Sequence, residues 1–179
     1  MQDSFRDLII LLVLSIVLVY MVMASQFESF REPFIIMFSL PFAFTGVFLA
    51  LWISGTTLNV ISFIGAIMLV GIVVKNGIIL VDYTNLLRDR GVFLKSAVVQ
   101  GGRLRLRPVL MTSLTMILAM IPLVLSKGEG SEIWRPMGIS LMGGLTFSTL
   151  ITLIVIPVIY TIFGAARMKR ERKNNPSND

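Results

Sequence analysis

Apolar and polar positions fall into long separate blocks along this chain rather than alternating residue by residue. Crossing a bilayer as a helix takes about 20 apolar residues. Five blocks meet or approach that length, at roughly residues 8–24, 34–53, 60–81, 108–125 and 137–163. Membrane-spanning strands are about 10 residues long and alternate apolar with polar positions, and these runs do neither. Inside hydrocarbon each backbone N–H needs a partner within its own segment, so the pattern predicts helices throughout. The fold class is therefore all-α integral membrane, a bundle of five transmembrane helices within residues 1–165. A basic and then polar tail follows over 166–179, with the composition of a disordered segment. Pro41, Pro122 and Pro157 lie inside blocks and predict kinks.

Composition supports the same class. The chain is 55% hydrophobic and 15% charged, against about 25% charged in soluble domains, and its mean hydropathy is +0.86. The net charge of +6 raises the question of nucleic acid. The basic residues, however, flank the apolar blocks and are not interleaved with aromatics on a soluble face, so no nucleic-acid partner is expected. One side of a five-span topology holds Arg31, Arg88, Arg90, Lys95, Arg103, Arg105, Arg107, Arg167, Lys169, Arg170, Arg172 and Lys173; the other holds Arg6, Lys127 and Arg135. That bias places the C-terminus in the cytoplasm and the N-terminus outside. Residues 1–7 carry charges of both signs, and no small-residue cleavage site follows, so this start does not read as a cleaved signal peptide. The chain has no Cys and no His, which removes thiolate chemistry, His-ligated metals and His-assisted nucleophiles.

Within the blocks, Lys75 stands out. It interrupts GIVVKNGIILV, and a lysine near a helix centre costs about 2.5–3.5 kcal/mol on insertion scales. It lies about 9 Å above the inner end of its span at about 1.5 Å per residue, too deep for snorkelling to free it fully. A buried pair or a watery cavity is the expected setting. Asp82, on roughly the same helical face, is the nearest acid but sits at the boundary. Lys75 thus lacks a counter-charge within the chain. Thr112, next to Ser113 in RPVLMTSLT, comes close to the depth of Lys75 on the antiparallel fourth span. It could face the amine, or it could bond a carbonyl of its own helix. Arg103, Arg105 and Arg107 alternate with Leu at the membrane edge and suit phosphate headgroups or a proton exit. Gly65 and Gly71 on the third span, and Gly138, Gly143 and Gly144 on the fifth, predict close helix packing. No nucleophile–base pair, carboxylate pair or metal-ligand set lies in the spans, so neither an enzyme nor a metal centre is expected.

The strings FESFREPFIIMFSLPFAFTGVFLAL, GIVVKNGIILVDYTN, RLRLRPVLMTSLTMILAMIPL and GEGSEIWRPMGISLMGGL occur in that order. Together they resemble the resistance-nodulation-division (RND) efflux transporters, and more narrowly their hydrophobe/amphiphile, multidrug-type branch. The resemblance covers roughly residues 5–165 and corresponds to family helices eight to twelve. It implies a permease of twelve transmembrane helices with two large periplasmic domains, working as a homotrimer in the bacterial inner membrane with a periplasmic adaptor and an outer-membrane channel. It also implies drug–proton antiport with the proton gradient as energy source and no cofactor. In the family a lysine on the tenth helix faces two aspartates on the fourth, with a threonine and an arginine at the start of the eleventh. Lys75, beside Asn76, matches that lysine; Thr112 matches the threonine and Arg105 the arginine. The heavy-metal branch carries an acid in place of the Lys-Asn pair, so Lys75 favours the multidrug-type branch. The chain resembles only the last five helices. It lacks the aspartate pair and both periplasmic domains, so the remainder of the permease is its implied partner. A non-transporting scaffold, or a relative exporting lipids or other cargo, are the alternatives.

Overall fold

The computed structural model describes the backbone of residues 2–128 and 130–174 and the side chains of residues 4–128 and 130–161. In chain order the described residues form α1 (Gln2–Phe27), α2 (Arg31–Met37), α3 (Leu40–Ile53), α4 (Val60–Asp89), α5 (Leu94–Leu125) and α6 (Ser131–Asn174). Among the described residues five helical stretches are long and apolar enough to cross a membrane: Ser4–Phe27, Arg31–Ile53, Val60–Asp89, Leu94–Leu125 and Ser131–Thr161. The all-α, five-span fold class read from the block pattern is the observed one.

Three boundaries differ from the sequence reading, each for a local reason. The second block, expected as one helix over 34–53, is broken into α2 and α3 at Phe38 and Ser39. Pro41 has no N–H for the Met37 carbonyl, and its ring crowds that carbonyl. At the break the Ser39 N–H and hydroxyl both donate to Ile36 O, at 3.0 and 2.6 Å. Pro122 and Pro157, by contrast, sit inside α5 and α6, and both helices continue through them.

The polar, basic stretch after the third block is helical over most of its length. The third and fourth spans, expected to end and begin near residues 81 and 108, extend as α4 and α5 to a short turn at Arg90–Phe93. Leu94, Ala97, Val98 and Gly101 recur at helical spacing and are buried, so the basic residues clothe an amphipathic hairpin. A Cβ at Gly101 would stand 2.8 Å from the Thr84 hydroxyl, which shows how closely α4 and α5 approach there. Gly91, at φ +83°, permits the reversal. Its N–H bonds Arg88 O while Val92 N bonds Leu87 O, the paired C-terminal closure that a left-handed residue allows.

At its C-terminal end α6 runs as helix to Asn174, past the expected span end at 163 and into the segment expected to be disordered. The side chains of the basic tail (Arg167, Lys169, Arg170, Arg172 and Lys173), and residues 175–179 altogether, lie outside the described residues.

α6 is the hub of the bundle, packed against α3, α4 and α5, while α1 lies at the edge against α4 and the α2 turn. Small residues make the hub possible. A Cβ added at Gly143 would overlap Ala50 Cβ, and one at Gly144 would overlap Leu69 and Val47. At Gly65 the added atom would lie 3.1 Å from Met137 O, and at Gly138 2.9 Å from Val124. At each of these four glycines a side chain would press on a neighbouring helix. Gly71 does not: it is exposed, and a Cβ there meets nothing within 4 Å. Its expected packing role is corrected accordingly: Gly71 opens into the groove between α1 and α4 and touches no neighbouring helix among the described residues.

Candidate functional site

α4 presents two faces of opposite character at the same depth. Leu69, Val73, Asn76, Leu80 and Thr84 form a buried stripe toward α5 and α6. About 100° round the helix, Ile64, Met68, Gly71, Lys75 and Leu86 form an exposed one. Adjacent residues thus point in different directions: Asn76 inward, Lys75 outward. Asparagine 59 starts the helix, accepting from Ser62 N at 2.8 Å while Ser62 donates back to Asn59 O at 2.7 Å. This capping holds the N-terminal turn from which both stripes run.

Lys75 borders a groove between α1 and α4 of about 490 Å³, otherwise lined by apolar residues such as Leu18, Val22 and Ile79, with Gln26 at one side. Among the described residues no hydrogen bond or ion pair engages its amine. Asn76 is engaged. Its Nδ2 donates to Ser113 Oγ at 3.3 Å, and the Thr149 hydroxyl donates to the same oxygen at 3.0 Å. Three helices therefore meet in one polar cluster, in which Asn76, Ser113 and Thr149 are each at least nine-tenths buried. Thr152, one turn along α6, is 3% exposed, and its hydroxyl has no hydrogen-bond partner.

Because Asn76 and Ser113 are bonded, their neighbours Lys75 and Thr112 share one depth, as the antiparallel reading expects. Their side chains do not meet. The Thr112 hydroxyl donates to Val109 O at 3.0 Å, on its own helix. Arg105 lies farther toward the basic end, where its guanidinium sits 4.5 Å from the centre of the Tyr83 ring and its Nε is buried without a partner. Tyr83 is about 12 Å beyond Lys75 along α4 at about 1.5 Å per residue. Of the four residues expected to form a relay, then, Lys75, Thr112 and Arg105 stand apart in this chain, and Asn76 belongs to a different cluster.

Sequence reasoning set Ser113 beside Thr112 without giving it the inward role, and it passed over Thr149, Thr152 and Tyr83. A signal was present for the threonines: Ser148, Thr149 and Thr152 fall on one helical face inside an apolar run. A second polar tie lies at the basic end. Buried Tyr160 donates to Asn85 Oδ1 and accepts from Arg88 Nη1 at 3.5 Å, joining α6 to α4. Among the described residues no group of three or more His, Cys, Asp or Glu side chains is gathered in one place.

Comparison with known proteins places this arrangement in context. Residues 1–164 match the model of the AcrB/AcrD/AcrF family. A crystal structure described as a heavy metal efflux pump, crystal form II, is 35% identical, with a TM-score of 0.82 over 92% of this chain and 16% of that one. Crystal form I is 34% identical, with a TM-score of 0.80 over the same shares. The chain spans about 16% of the length of these relatives.

Proposed function

Since the chain belongs to the AcrB/AcrD/AcrF family of RND permeases, we propose that it forms the C-terminal membrane portion of a proton-driven exporter and supplies the cationic half of its proton relay. One observation carries the reading. Lys75 is an amine deep in a membrane span, on an uncovered face of α4, with no counter-charge among the described residues. Charges at that depth are placed against partners or watery cavities. Gly71, on the same face and free of any neighbour, leaves room for a further helix to approach closely. Carboxylates on that helix would attract Lys75 while ionised and release it when a proton neutralises them. The bundle would then shift between two arrangements with different affinities for the proton. Thr112 stands at the depth of Lys75, and Arg105 marks the basic end of the same pathway. The reading is tested by Lys75→Ala in the full permease. Efflux is expected to fall to background while Lys75→Arg retains part of it, and undiminished efflux at normal expression would sink it.

The basic end, carrying Arg88, Arg103, Arg105 and Arg107, faces the cytoplasm in this reading, with the chain in the inner membrane and its N-terminus periplasmic. Trimerisation and docking to a periplasmic adaptor and an outer-membrane channel follow from the family's usual assembly. For the cargo, the Lys75–Asn76 pair supports drugs and other amphiphiles, by resemblance to the multidrug-type branch. A second reading, heavy-metal export, is favoured by the 35% identity to a heavy metal efflux pump. Accumulation assays on cells expressing the permease separate the two: retention of an amphiphilic dye is lowered under the first reading, and retention of a divalent metal under the second.

A further inference from the structure

Most hydroxyls in this bundle satisfy themselves. Thr45, Thr84, Thr115, Ser140, Thr146 and Thr161 each donate to the carbonyl four residues earlier on their own helix. Serine and threonine do this by default in membrane helices. Thr149 and Thr152 depart from it: Thr149 turns its hydroxyl to Ser113, and Thr152 bonds nothing among the described residues. Both are buried, at 4% and 3% exposure.

A hydroxyl has one proton to give and two lone pairs to fill. Both lone pairs of Ser113 are taken, by Asn76 and by Thr149, so its own proton is left to give. Thr149 keeps a free acceptor site, and Thr152, about one turn away on the same face of α6, keeps a donor and acceptors. A buried hydroxyl without a partner is costly, and buried waters occur where two to four such groups converge.

We propose that Ser113, Thr149 and Thr152 build a buried water site that holds Asn76 and thereby sets the rotation of α4, and with it the direction in which Lys75 is presented. Asn76 and Lys75 are adjacent and about 100° apart on the helix, so a clasp on one aims the other. Ser113, Thr149 and Thr152 act as positioning residues, and no covalent step is involved. The water site stands on the geometry alone; its consequence for Lys75 rests on the relay reading above.

The water site is tested by water-edited solid-state NMR on the chain in lipid bilayers. Magnetisation from water is expected to reach the Thr149 and Thr152 Cβ signals at mixing times that leave Ser140 and Thr84 dark. Thr152→Val is expected to abolish transfer to Thr149, and Thr152→Ser to retain it. A Thr152 signal as dark as that of Ser140 overturns the site. Positioning is tested by efflux in the full permease, where Thr152→Val is expected to lower the rate by about tenfold, the scale of one hydrogen bond, and Thr152→Ser to restore it. Equal rates for the Val variant and the parent overturn the positioning role, as does failure of the Ser variant to rescue. Should Lys75→Ala leave efflux intact, the relay reading falls while the NMR outcome still decides the water site. Should Lys75→Ala abolish efflux while Thr152 stays dark, the water site alone falls.

Discussion

At the scale of the residue, this membrane bundle is governed by what the smallest side chains permit. Gly143 allows α6 to touch Ala50 on α3, and Gly144 accepts Leu69 of α4 and Val47 of α3. Overpacking a tight core costs about 1–3 kcal/mol. Gly143→Ala, facing a short side chain and the Gly46 carbonyl that cannot swing aside, is expected to lower unfolding stability in detergent by about that amount. Gly71→Ala is expected to stay within about 0.5 kcal/mol of the parent in the isolated chain, since nothing stands where its methyl would go. Equal losses at the two positions would show that the uncovered face of α4 is already packed. Both glycines belonged to one pattern of small residues in the sequence, and only the packing separates them.

At the scale of the element, the useful lesson lies in the basic stretch. Its arginines and lysines read as topology determinants, yet Leu94, Ala97, Val98 and Gly101 carried a helical period within it. The charges obscured a period that defines a hairpin, whose Leu94 and Val98 join the main core. α4 and α5, at 30 and 32 residues, span about 45–48 Å, more than the roughly 30 Å of hydrocarbon. Their paired ends are long enough to reach beyond it. The chain has no native cysteine, so sidedness can be read with single replacements. Lys127→Cys is expected to react with a membrane-impermeant maleimide added outside intact spheroplasts, and Lys95→Cys only after the membrane is opened. The reverse labelling would invert the proposed topology.

At the scale of the whole molecule, the bundle has one complete side and one incomplete side. Around α6 the helices close tightly, with a polar cluster at mid-depth and the Tyr160–Asn85–Arg88 tie at the basic end. Around α1 and the outer face of α4 they do not, and Lys75 borders an open groove. In the proposed reading this surface receives the preceding helices of the permease. Co-expression of the chain with a separate fragment bearing the preceding helices is expected to recover that fragment on an affinity-tagged copy of the chain. Lys75→Glu is expected to reduce the recovery, because it sets a like charge against the proposed carboxylates. Equal recovery of the fragment by both forms would count against pairing through this face.

The all-α class and the five spans were legible without coordinates, because hydrocarbon imposes one rule on every segment: apolar side chains outward and backbone bonds satisfied within. A one-dimensional pattern suffices for a requirement of that kind. Even the shared depth of Lys75 and Thr112 followed from counting residues along antiparallel helices. Which way each side chain faces did not, since a helix can rotate about its axis with no change in its pattern of blocks. The contacts of Gly46, Gly143 and Gly144 with their neighbours lock α3 and α6 in one rotational setting. The packing of α4, α5 and α6 on that pair turned Ser113 rather than Thr112 inward, gave it Asn76 and Thr149 as partners, and left Lys75 facing the open groove.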